Sequence, residues 1–212
     1  MAAAPFLGAF LAGFLPTRAR NLAAGLSWTV ALAGLICAVL LYPAVADGGV
    51  VRHEISWLPS LGVNIVLRLD GLSWLFSMLV LGIGVLVILY ARYYMAATDP
   101  VPRFFSFLLA FMGAMLGVVV SGNIIQLVVF WELTSLFSFL LIGYWHHSTA
   151  AREGARMALT VTASGGFACW SAWCCWARSP AVSIWTSCWR PAISSRPARS
   201  TCPPFSSCWP AR

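Results

Sequence analysis

The sequence predicts an all-α, polytopic transmembrane bundle of about five to six spans, with a small outer β-hairpin and an irregular C-terminal tail. Three observations carry that expectation. Of 212 residues, 60% are apolar and only 9% charged, with a mean hydropathy of +0.84, too few charges to coat a water-soluble globule. The uncharged stretches reach the roughly 20 residues needed to cross a hydrocarbon core. The arginines fall between those stretches rather than within them. The net charge of +7 therefore forms no contiguous cationic face, which excludes nucleic acid as a partner. The chain contains no Lys, so chemistry that needs a lysine amine cannot be completed by these residues alone.

Taken in order, residues 5–15 form a short first span that ends before Pro16, and residues 22–42 a second. The N-terminus lacks the basic start of a signal peptide and is read as the first helix. Around Pro59-Ser60-Leu61-Gly62, residues 53–58 and 63–69 alternate or nearly alternate apolar side chains, the pattern of a β-hairpin capping the bundle. A third span fills the gap between Asp70 and Arg92. Residues 104–151 carry a single charge and are too long for one crossing, so the Ser121-Gly122-Asn123 turn divides them into a fourth and a fifth helix. A sixth begins near Arg152 and Glu153.

Loop charge orients the bundle. Arg18 and Arg20, Arg92 and Arg103, and Arg152 and Arg156 occupy alternate connections that share one side. The opposite side receives residues 47–70, where Arg52 and Arg68 are balanced by Asp47, Glu54 and Asp70. The positive-inside rule then places the N-terminus outside a multi-pass protein of the cell (inner) membrane. Tyr93, Tyr94, Tyr144 and Trp145 lie at helix ends as an aromatic belt would. Gly82, Gly84, Gly113 and Gly117 are expected to permit close helix packing.

Residues 168–212 differ in kind. They contain no Gly, no Leu and no acid, but six of the seven Cys and six of the eleven Trp, unlike any ordinary membrane helix. Cys and Trp codons both begin with TG. Joined to the last base of the preceding codon, each becomes NTG, which encodes Leu, Val or Met, and each TCN serine becomes NTC, another apolar codon. The tail is therefore read as an out-of-frame translation with no domain of its own, following a domain over residues 1–167. A genuine Cys-rich extension is the alternative. Cys169, Cys174, Cys175, Cys188, Cys202 and Cys208 have neither C-x-x-C spacing nor a companion His, so no metal site is expected. Cys37, alone in an apolar run, is read as a packing residue.

The chemistry concentrates at Glu132, the sole charge within residues 104–151. Nine residues beyond Asn123, at about 1.5 Å each, it stands about 13 to 14 Å into a core about 30 Å thick. An ionised acid at that depth costs roughly 2.5 to 3.5 kcal/mol, so it must face a polar cavity, pair with a cation or hold a proton. Each option makes it a candidate proton site, and a fixed interhelical hydrogen bond is the alternative. His146 and His147 follow the same helix at its cytoplasmic edge, where imidazoles can pass protons to water. An interfacial pair without that role is the simpler account of them.

Three stretches carry a family resemblance: LRLDGLSWLF at 67–76, FMGAMLGVVVSGN at 111–123, and FWELTSLFSFLLIGYWHH at 130–147. Over roughly residues 5–167 the chain resembles the N-terminal portion of the A subunit of Mrp-type monovalent cation/proton antiporters. That component is similar to the large antiporter-like subunit of respiratory Complex I. The resemblance implies that Glu132 matches the family's essential glutamate of the fifth helix, which pairs with a lysine on a broken seventh helix and helps drive proton movement. It also implies partner subunits in a hetero-oligomeric complex, protons and Na+ or K+ as the transported ions, and no bound cofactor. The seventh helix is not in this sequence, so the product is expected to be truncated and inactive alone. Gly122 departs from the family, where an acid is often found. The second functional reading is a proton-translocating subunit of a quinone-linked NADH oxidoreductase, without a redox site of its own.

Overall fold

The computed structural model describes residues 3–16, 19–46, 49–58, 63–95, 100–145 and 147–177. Its elements are α1 (Ala3–Gly13), α2 (Arg20–Leu40), α3 (Tyr42–Ala46), β1 (Val51–Leu58), β2 (Val63–Leu69), α4 (Gly71–Tyr94), α5 (Val101–Val120), α6 (Ile124–Ile142) and α7 (Thr149–Ala177). Four of the helices, α2, α4, α5 and α6, are long and apolar enough to cross a membrane, and α1 is a shorter apolar helix. The order of spans and hairpin follows the sequence expectation, and the number of spans fits it approximately: α7, where the sixth was expected, is not among these four. The connection 59–62 lies outside the described residues.

The chain divides into two compact units, Met1–Gly166 and Phe167–Arg212. In the second, only the last turns of α7 are described, and Phe167, Cys169, Trp170 and Cys175 there are exposed. The tail expected to be irregular from 168 is thus helical through Ala177. The reason is local: Ala, Cys, Ser and Trp are all tolerated in a helix, and the first breaker after this point is Pro180, three residues on. Residues 178–212, with Cys188, Cys202 and Cys208, lie outside the described residues.

Within the first unit α5 is central. Its buried positions Val101, Phe105, Leu109, Met112, Leu116 and Val120 advance by three or four residues, one continuous helical stripe. Helix α2 presents a seam of small residues, Ala23, Ala24, Ser27, Ala31, Gly34 and Ala38, so a neighbouring backbone can approach it closely. Leu81 of α4 fills that seam, with its Cδ2 3.0 Å from where a Cβ on Gly34 would stand. On α5, Gly113 lies under the Phe6 ring and Gly117 under the Phe130 ring. Gly84 likewise receives Met112, but a Cβ on Gly82 would meet nothing within 4 Å. Among the described residues Gly82 therefore makes no close helix contact of the kind expected of it. Cys37, read from the sequence as a packing residue, lies on the exposed face of α2, since the helical repeat gives the buried side to Gly34 and Ala38.

Polar links fix the helices where lipid supplies no hydrogen bonds. Ser106 Oγ donates to the Ala9 carbonyl at 2.7 Å, Trp74 Nε1 to the Ala38 carbonyl at 2.7 Å, and the Arg20 guanidinium to the Arg92 carbonyl. Asp70 caps α4 by accepting from Ser73 N at 2.9 Å.

The strands pair antiparallel with Val51 opposite Leu69 and Ile55 opposite Ile65, and the register shifts between Ile55 and Leu58. Arg52 stands directly opposite Arg68, a like-charge pair that would destabilise the ladder. Glu54, 3.8 Å from Arg52, and Asp70, 3.1 Å from Arg68, each place a carboxylate beside one guanidinium. Strand β2 then docks on the turn between α5 and α6. The Gly122 N–H donates to the Val66 carbonyl at 2.8 Å, and the Val66 N–H donates to Gln126 Oε1 at 2.9 Å.

Candidate functional site

Helix α6 starts cleanly because Asn123, in an extended conformation, accepts from Ile125 N at 3.1 Å, a standard N-cap. From that start Glu132 is the ninth residue of a 19-residue span, so the carboxyl stands at the middle of the apolar segment. Its Oε1 is buried and has no hydrogen-bond partner. It lies against the backbone of α7 at Gly166, where a Cβ would fall on that oxygen.

The hydroxyls nearest in sequence are already used. Thr134 Oγ1 donates to the Trp131 carbonyl at 2.6 Å, and Ser135 Oγ donates to the same carbonyl at 3.3 Å. On α7, Thr162 and Ser164 donate to carbonyls of their own helix. Each of these bonds is the local back-bonding that Ser and Thr make within helices. The Glu132 carboxyl is thus left with an oxygen that a proton, a water or a cation can still satisfy. Such a bare buried acceptor is costly unless it has a use. The two ion pairs among the described residues, Arg52 with Glu54 and Arg68 with Asp70, both belong to the hairpin.

Of the other predicted site residues, His147 is exposed in the connection between α6 and α7, and His146 lies outside the described residues. About 15 Å of helix, ten residues at 1.5 Å, separate Glu132 from the end of α6, so the structure does not bring His147 to the carboxyl. Near that end is an aromatic cluster. Tyr144 packs edge-on to Phe104 with ring centroids 5.5 Å apart, and Tyr90 stacks on Tyr94 at 5.3 Å. Together with Leu141 and Trp145 these rings line a cavity of about 250 Å³, and Tyr93 beside it is exposed. Among the described residues no group of three or more His, Cys, Asp or Glu is arranged to hold a metal ion.

Two residues near the site went unremarked in the sequence. Gln126 is buried, accepts from β2, and keeps its Nε2 without a partner. Its signal was available: it is the one amide between Asn123 and Glu132 in an otherwise apolar run. Gly166 belongs to a Gly-Gly pair in the middle of a helix, a costly choice that asks for a reason.

Residues 56–105 match the family described as NADH-Ubiquinone oxidoreductase (complex I), chain 5 N-terminus. The probable A/B subunit of a K(+)/H(+) antiporter from Rhizobium meliloti is 59% identical over 167 residues, which is 77% of this chain and 16% of that protein. This chain is similar to the N-terminal part of the A subunit of Mrp-type antiporters. The A subunit of the Na(+)/H(+) antiporter from Alkalihalophilus pseudofirmus is 48% identical over 168 residues, covering 77% of this chain and 21% of its own length. Among solved structures, the Mrp complex from Dietzia sp. DQ12-45-1b aligns with a TM-score of 0.66 at 30% identity, over 78% of this chain and 18% of that one. A membrane-bound sulfane sulfur reductase, an archaeal respiratory membrane complex, shares the fold, with a TM-score of 0.68 at 21% identity over 81% of this chain and 26% of that one. The chain thus spans about a fifth of the length of the antiporter proteins that it matches.

Proposed function

We propose that this chain is the N-terminal portion of a subunit that exchanges protons for Na+ or K+ within a hetero-oligomeric complex of the inner membrane, and that Glu132 is its proton-carrying group. The observation that supports this reading best is the carboxyl at the middle of α6, with a buried oxygen that no donor satisfies. A group that must take up and release a proton needs an acceptor left open. Similarity to antiporter subunits supports the class of reaction.

The test uses the protein with its full reading frame, assembled with its partners in vesicles. Glu132→Gln keeps the shape and removes the charge. Cation-driven proton exchange collapses while abundance and assembly persist, and Glu132→Asp retains part of the activity. Near-normal exchange by the Gln variant at unchanged abundance overturns the assignment.

A second reading, a proton-translocating subunit of a Complex I-like enzyme, is favoured by the family match over residues 56–105. Proton movement that follows added Na+ or K+ without any electron donor supports the antiporter. Movement that requires NADH and quinone supports the other.

Two further readings belong to the same proposal. The N-terminus lies outside, so cysteine labels in residues 47–70 react from the periplasmic side and labels near Arg103 or Arg152 only from the cytoplasm. Reversed labelling removes the orientation. Residues from about 168 onward are translated out of frame, a reading supported by the loss of Gly, Leu and acids there. Sequencing the gene decides it, since an alternative frame with early stops or no apolar helix would make the tail authentic.

A further inference from the structure

Gly165 and Gly166 are neighbours in α7, yet their surroundings are opposite. A Cβ on Gly165 would meet nothing within 4 Å, whereas one on Gly166 would fall on Glu132 Oε1, with the carboxyl carbon 2.8 Å away. The same Oε1 is buried without a hydrogen-bond partner. The carboxyl is therefore lodged against the α7 backbone at a point where only glycine leaves it room. Glycine in a helix interior weakens that helix, so a glycine here has to be offset by something that a side chain would destroy.

The chemistry around the seat is sparse. Thr162, one turn before Gly166, gives its hydroxyl to the Ala158 carbonyl at 2.8 Å. Arg152, Glu153 and Arg156 stand at the exposed start of α7, the nearest of them ten residues back, about 15 Å along the helix. Position and exposure of the carboxyl thus depend on shape rather than on a bond from α7.

We propose that Gly166 is a positioning residue for Glu132: its missing side chain forms the notch that holds the carboxyl at the α6–α7 contact and out of the surrounding lipid. The proposal rests on reading Glu132 as the proton-carrying group, and it adds the element that sets where that proton is held. Gly165 is the internal control, because it has the same residue type and the same helix cost but no neighbour.

The experiment uses this 212-residue chain in phosphatidylcholine vesicles and follows modification of Glu132 by dicyclohexylcarbodiimide, which couples to protonated carboxyls in apolar surroundings. Labelling is read by mass spectrometry across a pH series. Gly166→Ala turns the carboxyl outward, and labelling accelerates about fivefold or more, the factor that order 1 kcal/mol makes in a population, with a displaced pH profile. Gly165→Ala labels like the parent. Glu132→Asp combined with Gly166→Ala, one methylene shorter, returns toward the parent rate. Should Gly166→Ala fail to accumulate, recovery of abundance in that double variant supports the seat, and no recovery overturns it. Equal labelling of Gly166→Ala and the parent, or equal acceleration by Gly165→Ala, also overturns it. The outcome is separable from the transport assignment. Full exchange by Glu132→Gln removes the proton role and leaves the labelling contrast standing, while unchanged labelling removes the seat and leaves the proton role.

Discussion

Helices α5 and α6 come from one almost uncharged run and have nearly equal hydropathy, yet half of the apolar stretch of α5 is buried and only 11% of that of α6. The difference lies in where large and small residues fall. On α5, Phe105, Leu109 and Leu116 are fully enclosed while Gly113 and Gly117 admit the rings of Phe6 and Phe130. On α6, Trp131 and Leu136 point outward, and among its described residues only Gln126 and Ser135 are buried. The enclosed polar positions of α6 are thus the ones facing protein. Hydropathy reports that a helix belongs in a membrane. Side-chain size and polarity at a helical repeat report which face meets protein and which meets acyl chains.

The largest effect should break that contrast at α5. Phe105→Ala, at a fully buried position, is expected to cost about 3 kcal/mol, the lower end for truncating a buried Phe, because lipid rather than water is the competing solvent. Leu136→Ala on the exposed face of α6 should stay within about 0.5 kcal/mol. Denaturant titration in mixed micelles measures both, and equal costs would mean that the two helices are equally enclosed.

A smaller effect is expected at the corner that joins the two helices. Gln126→Leu removes the acceptor of the Val66 N–H, and leaving a buried donor unpaired costs roughly 1 to 3 kcal/mol. Amide exchange at Val66 should accelerate while that at Leu109 stays unchanged. Uniform acceleration would show that the hairpin does not open separately from the bundle.

The smallest effect concerns the other end of the same strand. Asp70 caps α4, and its carboxyl is held below the usual carboxylate range, first by the hydrogen bond from Ser73 N and further by Arg68 beside it. A depressed folded pKa gives stability that is complete above the unfolded value of about 3.9 and is lost as pH falls through the folded one. Asp70→Asn keeps a cap and should lose this acid sensitivity, while Asp70→Ala costs about 1 kcal/mol at neutral pH. Thermal melts of the three proteins between acid and neutral pH check the order. If the Asp70→Asn variant and the parent lose stability in parallel as the pH falls, the cap has no charge contribution.

Much of this architecture was legible from residues because a bilayer punishes every charge and every unpaired backbone group. Runs free of Arg, Asp and Glu had to be spans, Ser121-Gly122-Asn123 had to be the break between α5 and α6, and alternation around residues 59–62 had to be strand. Glu132 was conspicuous for the same reason, as a charge with nowhere else to go. Gln126 and Gly166 were not, because an amide or a glycine in an apolar run carries no penalty large enough to announce its purpose.

The sequence by itself therefore determined the membrane class, the order of spans, the hairpin and the place of the lone carboxylate in the α5–α6 run. Tertiary structure alone decided that Gln126 ties β2 to the α5–α6 corner, that Cys37 faces outward while Gly82 makes no close helix contact among the described residues, and that Gly166 rather than Gly165 meets the carboxyl. The physical reason is one of range. Transfer free energy is paid residue by residue and leaves its mark in composition, whereas packing depends on which two helix faces meet. Rotation about a helix axis by the roughly 100° between Gly165 and Gly166 is invisible to hydropathy yet changes every contact.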